Sequence, residues 1–219
     1  MAIQVAVVPD DGLFRIGRWP NPLAFPPWEI AARKQNRFDD PHDRFRVLYR
    51  AETRLACFVE TLAPYRPDGH VLAALRQVTP AEGEDELPEA GIIPSDWRRD
   101  RLMGRLNLDP GQQWLDLRLN EILESLRWEL AESFRDLGYT AFDMSNALGS
   151  NRRLTQVIAG WAYDQHYQGI AYKSRFGSDL DCWAIFEGAG FEDTDIAPIP
   201  IDDRDLANAA RRFMLRLSP

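Results

Sequence analysis

A chain of 219 residues, 45% hydrophobic and 27% charged, has the material for one domain with a substantial core. Its net charge of −8 excludes nucleic-acid binding through a global basic field. Two cysteines are too few for a disulfide scaffold, and no run approaches the ~18 apolar residues of a membrane span.

The N-terminus is short and lacks the basic start of a signal peptide, so a cytoplasmic protein is expected. Ile3 to Val8 has strand character and ends at the Pro9-Asp10-Asp11-Gly12 turn signal. Leu13 to Gly17 reads as the next strand, with alternation placing Arg15 on the face opposite Phe14 and Ile16. A solvated or paired strand arginine is the plain reading. Trp19 to Trp28 holds Pro20, Pro22, Pro26 and Pro27, which exclude a regular helix or a central strand. An ordered loop over the core is expected, pinned by Trp19, Phe25 and Trp28.

The stretch Asn36 to Leu62 organises the chain. Asn36 to Arg44 is a charged loop with an Asp39-Asp40-Pro41 turn. Phe45 to Tyr49 reads as a strand and Glu52 to Leu62 as a helix. In that helix Leu55, Phe58, Val59 and Leu62 form a core-facing stripe, and Glu60 lies nearly opposite. Its neighbours one and two turns back are Cys57, Ala56 and Thr53. Such small side chains around one acid suggest close packing against it. The alternative is a solvent-exposed Glu on an amphipathic helix.

His70 to Val78 reads as a short helix with Val71, Leu72 and Leu75 inward, and Thr79 to Gly91 as an acidic surface loop. Trp97 to Leu108 and Trp114 to Leu119 read as strands joined across Asp109-Pro110-Gly111. Asn120 to Leu137 has helical period with Gly138 as C-cap and a break near Trp128. Asp143 to Asn151 reads as a loop. Arg152 to Tyr167 reads as a helix ended by Gly169, with Leu154, Val157, Ile158, Trp161 and Ala162 on one face. Ile170 to Ser174 and Cys182 to Phe186 read as a hairpin. Asp202 to Leu215 reads as a terminal helix with Leu206, Ala209, Ala210 and Phe213 inward. Strands and helices mix without a βαβ rhythm, so the expected class is α+β. One domain over 1–219 is expected, its core about 13–187 and its last helix about 202–215.

Competing chemistry is absent from the sequence. There is no G-x-S-x-G elbow, P-loop or G-x-G-x-x-G. His42, His70 and His166 lack metal-ligand spacing, and no metal is expected. Cys57 and Cys182 sit in apolar contexts and read as buried small hydrophobes.

The order N-R-F-D-D-P (Asn36–Pro41), V-L-Y-R-A-E-T (Val47–Thr53), A-C-F-V-E-T-L (Ala56–Leu62) and Q-G-I-A-Y-K-S-R (Gln168–Arg175) resembles the RES domain family. The resemblance runs from about Leu13 to Glu187. It implies an ADP-ribosyltransferase-like fold of mixed sheets and flanking helices, NAD as the substrate and the role of a toxin in a toxin–antitoxin pair. It also implies a small helix-turn-helix antitoxin of the Xre type as partner. Glu60 is then the catalytic acid, Arg15 and Arg37 hold the diphosphate, Tyr49 stacks on the nicotinamide and Ser174 bonds ribose or amide.

The chemistry suits such a set. Nicotinamide leaves neutral from a cationic ring, so no proton donor is needed. A carboxylate must stabilise the oxocarbenium-like transition state, and guanidinium forks suit the diphosphate. Each residue also has a structural alternative: Tyr49 as a core aromatic, Ser174 bonded to local backbone, Arg37 paired with Asp39 or Asp40. The chain departs from many relatives at Asn36-Arg37-Phe38-Asp39, where they carry Gly-Arg-Trp-Asn. It departs again at Tyr172-Lys173-Ser174, where they carry Val-Pro-Ser. Lys173 and Arg175 bracket the serine with charge, which favours an anionic acceptor such as phosphate. Water and a protein side chain are the other acceptors. The alternative function is a non-catalytic nucleotide-binding module. The oligomeric state stays open, a homodimer among the alternatives.

Overall fold

The computed structural model describes residues 5–75 and 91–218. The first half contributes β1 (Leu13–Arg18), α1 (Trp28–Ala31), β2 (Val47–Ala51), α2 (Arg54–Leu62), α3 (Gly69–Leu75), β3 (Gly91–Ile93), α4 (Ser95–Arg99) and β4 (Arg101–Leu108). The second half contributes β5 (Leu115–Asp116), α5 (Asn120–Glu129), α6 (Ala131–Asp136), α7 (Met144–Leu148) and α8 (Arg152–Asp164), then β6 (Gly169–Ser174) and β7 (Gly177–Phe186). It ends with β8 (Phe191–Pro198), α9 (Arg204–Arg212) and β9 (Leu215–Leu217). The main sheet runs β5-β6-β7-β2-β1-β4-β8, and β3 and β9 form a separate parallel pair. Among the described residues only β5 and β6 pair in parallel within the main sheet. The α+β class expected from the sequence is what the chain adopts.

The register divides that sheet. β2 pairs with β7 from Val47↔Phe186 to Ala51↔Cys182, and β1 pairs with β4 from Leu13↔Leu106 to Arg18↔Arg101. Between these halves β1 meets β2 at a single pair, Phe14↔Ala51. The strands part beyond it, which opens a split in mid-sheet.

Alternation sorts the side chains. Phe14, Ile16, Val47, Tyr49, Tyr172, Cys182 and Ala184 face the larger core, with α2, α8 and α9 packed on it. Leu13, Leu48, Leu106, Trp183 and Ile185 face a smaller core on the other side. Of the α2 stripe, Leu55 packs partly buried against the larger core, and Phe58, Val59 and Leu62 are fully buried. Each such burial contributes about 1.5–3 kcal/mol relative to exposure. Thr53 caps this helix, its Oγ1 accepting from the Ala56 N–H at 3.1 Å.

Several expectations need correction. Of the described part of the N-terminal run only Val5 forms a bridge and Ala6 to Val8 is irregular; Ile3 and Gln4 lie outside the described residues. The proline-rich loop is held by Pro22, Leu23 and Phe25, while Trp19 is 70% and Trp28 41% exposed. Leu23 fits because its sheet neighbour is glycine: a Cβ on Gly104 would meet it at 2.4 Å. Leu72 is exposed rather than inward. The acidic segment 79–90, residues 76–78 and the side chains of Val71 and Leu75 lie outside what is described.

Trp97 belongs to α4, not to a strand, and the run from Trp114 to Leu119 keeps only β5 as strand. The helix over 120–137 breaks at Leu130. α8 stops at Asp164, and His166 at φ 64° turns the chain before Gly169. The terminal helix stops at Arg212, and Leu215 enters β9. Among the described residues no helix is long and apolar enough to cross a membrane.

Candidate active site

Four elements bring polar groups together on the larger-core side of the split. α2 supplies Glu60, the end of β6 supplies Ser174, β2 supplies Tyr49 and the loop before β2 supplies Arg37. Ser174 Oγ donates to Glu60 Oε1 at 2.5 Å and accepts from the Phe176 N–H at 3.0 Å. The serine thus makes both its local backbone bond and a bond to the acid. Cys182 Sγ lies 4.0 Å from the same carboxylate oxygen. Of the three small neighbours expected around Glu60, Ala56 is fully buried and Cys57 is 5% exposed, Thr53 is exposed, and Glu60 itself is partly buried. The solvent-exposed alternative for Glu60 is therefore excluded.

Burial pushes the Glu60 carboxyl above its ordinary value, opposed by the Ser174 bond and by the charges of Arg37 and Arg175. The acid therefore holds a proton more tightly than a free carboxylate does. It is also oriented, with one oxygen committed to Ser174.

The loop carrying Arg37 is fixed by its own polar groups. Asp39 accepts from the Asn36 N–H at 2.8 Å, and Asp40 pairs with Arg44 at 3.0 Å. Gln156 of α8 donates to the carbonyls of Lys34 and Asn36 at 2.9 and 3.0 Å. Both aspartates of the Asp39-Asp40-Pro41 turn are thus occupied, and neither pairs with Arg37. The Arg37 guanidinium stands over the rings of Phe38 and Tyr172, at 5.3 and 5.1 Å from their centroids. Its Nη2 donates to the Ala147 carbonyl, and its buried Nε has no partner among the described residues. A guanidinium held on rings and a neutral carbonyl keeps its charge available for an anion.

Tyr49 packs against the larger core, and its hydroxyl donates to Asp39 Oδ1 at 3.2 Å and accepts from the Phe38 N–H at 2.9 Å. Burial raises this phenol well above its usual range, so it stays protonated. The charges that act on Glu60 are those of Arg37 and Arg175, not that of Arg15. Arg15 Nη1 donates across the split to the Tyr49 carbonyl at 3.2 Å, replacing the missing ladder bond with a side chain. Lys173, next to the serine in the chain, pairs its ammonium with Asp181 at 2.9 Å. Arg175 is exposed and contributes to the field at Glu60. Both cysteines are free and buried, as their contexts predict.

Sequence reasoning missed the wall that holds Arg37. Phe38 and Tyr172 pack at 4.7 Å, and α7 delivers the Ala147 carbonyl. Within the segment expected as a loop over 143–151, Met144–Leu148 is helical, started by the capping box of Asp143 and Asn146. That D-x-x-N spacing was the available signal. Among the described residues no cluster of His, Cys, Asp and Glu could hold a metal ion.

A family model described as the RES domain matches residues 13–207. The fold is similar to a crystal structure of the M. tuberculosis MbcT–MbcA toxin–antitoxin complex, with a TM-score of 0.54 and 13% identity over 92% of this chain and 87% of that chain. At that identity the likeness concerns the fold alone. No curated protein matches the sequence.

Proposed function

The chain belongs to the RES domain family, and from that premise we propose that it cleaves the nicotinamide–ribose bond of NAD. The observation that carries this reading is the Glu60 carboxylate, oriented by Ser174 and standing in the field of Arg37 and Arg175. In the ionised form this acid faces the positive charge that develops on the ribose as nicotinamide leaves. Arg37 holds the diphosphate, its guanidinium being unpaired with any carboxylate among the described residues. Arg15, on β1 at the split, supports the same group. Tyr49 and the Phe38–Tyr172 wall orient the flat nicotinamide end. Ser174 fixes the acid and offers its oxygen to the ribose side. The acceptor is phosphate, water or a protein side chain; Arg175, exposed beside the serine, favours the anion.

The RES pattern is that of toxins controlled by an antitoxin, and the similar fold comes from a toxin–antitoxin complex. This chain is accordingly proposed to be such a toxin, held inactive in the cytoplasm by a helix-turn-helix partner.

Purified protein incubated with NAD should release free nicotinamide. Glu60→Gln should reduce that release on the order of a hundredfold or more, the scale of losing one transition-state charge partner. No release by the wild type, or equal release by the variant, would overturn the proposal. NAD binding without turnover would point instead to a nucleotide-binding module.

A further inference from the structure

Arg50 is the one basic residue that is fully buried among the described residues, at 3% exposure. It sits on β2 next to the split, one residue from the Tyr49 carbonyl that Arg15 caps. Alternation from Phe14↔Ala51 puts Arg15 and Arg50 on the same side of the strands. Leu23 of the proline-rich loop lies over this spot, its carbonyl accepting from Arg50 Nη2 at 3.3 Å. Arg50 Nε and Nη1 and Arg15 Nε are buried without partners among the described residues.

Two guanidinium groups therefore lie near one another beneath a loop, bonded among the described residues only to neutral carbonyls. No carboxylate forms an ion pair with either among the described residues. Asp193 and Cys57 lie within their field. The Cys57 thiol is pushed up to about 12 by burial and is neutral at pH 7, so it supplies no countercharge. Asp193 is exposed to solvent. Burial lowers Arg15 to about 10 and lowers Arg50 well below its usual value, Arg15 adding repulsion. An uncompensated buried charge is costly, and two side by side more so. The proline-rich loop and the neighbouring strands spend stability to keep them there.

We propose that Arg15 and Arg50 form a buried oxyanion site in the split between β1 and β2, which takes one phosphate group. Arg50 Nε and Nη1 and Arg15 Nε supply the unused donors, the two charges are close enough to repel, and guanidinium donors match phosphate oxygens. The phosphate belongs either to the diphosphate of a dinucleotide or to free inorganic phosphate. The first source rests on the function proposed above; the site itself does not.

Thermal unfolding of the full chain tests it, with inorganic phosphate or ADP-ribose against chloride at matched ionic strength and pH 7. The wild type should show a saturable rise in Tm with at least one probe. Arg50→Met should fold with an unchanged or higher Tm in chloride, because it removes an unpaired buried charge. Its affinity for that probe should fall at least tenfold. A loss confined to inorganic phosphate identifies free phosphate as the ligand; a loss for ADP-ribose identifies the diphosphate. A wild type indifferent to both probes, or an Arg50→Met protein that keeps the rise, overturns the site. So does an Arg50→Met protein that fails to fold or melts earlier in chloride, because the arginine is then structural. Glu60→Gln separates the two proposals: it should cut nicotinamide release on the order of a hundredfold or more and retain the phosphate-dependent rise.

Discussion

Trp183 adjoins two arginines whose circumstances are opposite. Arg118 lies 5.7 Å from its ring and is bonded to Asp116, with Glu52 and Asp181 completing the shell at 2.8 and 3.3 Å. Arg50 stands across the ladder from Trp183 and has only a backbone carbonyl. The Asp116 hydrogen bond holds Arg118 above its usual pKa, while burial drives Arg50 below its own. Arg118 ties β5 and β7 to Glu52, the residue after β2, and is complete as it stands. Arg50, Arg15 and Arg37 have donors left over, and the geometry around them is kept at a cost. The difference marks which cations belong to the scaffold and which await an anion.

The largest expected effect breaks the scaffold side of this comparison. Arg118→Met leaves Asp116, at 7% side-chain exposure, without its partner. Removing one member of a buried pair costs about 3 kcal/mol or more. For a chain of this size that lowers Tm by roughly 6–12 °C. Activity per folded molecule should be retained. A melting point equal to wild type would show that the charge shell is dispensable and would erase the contrast with Arg50.

Arg37→Met sharpens the other side. Hydrogen bonds to charged groups contribute about 1.5–3 kcal/mol, so the KM for NAD should rise roughly tenfold to a hundredfold. Tm should barely move, because the lost guanidinium had no carboxylate to strand. Steady-state nicotinamide release and a melting curve on the same preparation decide it. A large loss of stability with unchanged KM would class Arg37 with Arg118.

Much of this contrast was hidden from the sequence. The α2 stripe, the hairpin ending at Ser174 and the closeness of small residues to Glu60 were legible because local periodicity decides them. Arg50 was not. It sits between Tyr49 and Ala51 on a strand and reads as a solvated side chain until Leu23 folds over it. That packing depends on Gly104, remote in sequence, leaving room for Leu23. The split between β1 and β2 is likewise a matter of long-range register. Trp19 and Trp28 misled for the reverse reason: large apolar rings suggested anchoring, but the smaller Pro22 and Leu23 are what the sheet accommodates.

Ser174→Ala should have an intermediate effect. It removes the donor that favours the ionised form of Glu60 and leaves burial to act alone. The Glu60 pKa then rises further, and the acid limb of the pH–rate profile moves to higher pH. Losing about 1.5 kcal/mol of hydrogen bonding to the carboxylate predicts roughly tenfold lower kcat near neutrality. Activity should recover in part as pH increases. A uniform loss at every pH would assign the serine a role on the substrate alone.

The smallest effect concerns stability and follows from the same acid. Glu60 has a folded-state pKa raised above the ordinary 4.5, with burial the leading cause. Between that ordinary value and the raised one, the folded chain binds more protons than the unfolded chain. Stability therefore falls as pH rises through this window, and above it the buried charge is carried at full cost. Glu60→Gln keeps the shape and removes the titration. The variant should melt higher than wild type at pH 7, by about 2–4 °C for each kcal/mol relieved, and the gap should close as pH drops towards 4.5. Unfolding curves at both pH values read this directly. A gap that widens in acid would mean that Glu60 is stabilised in its charged form. Its carboxylate would then resemble those around Arg118, serving the scaffold rather than waiting for a cationic sugar.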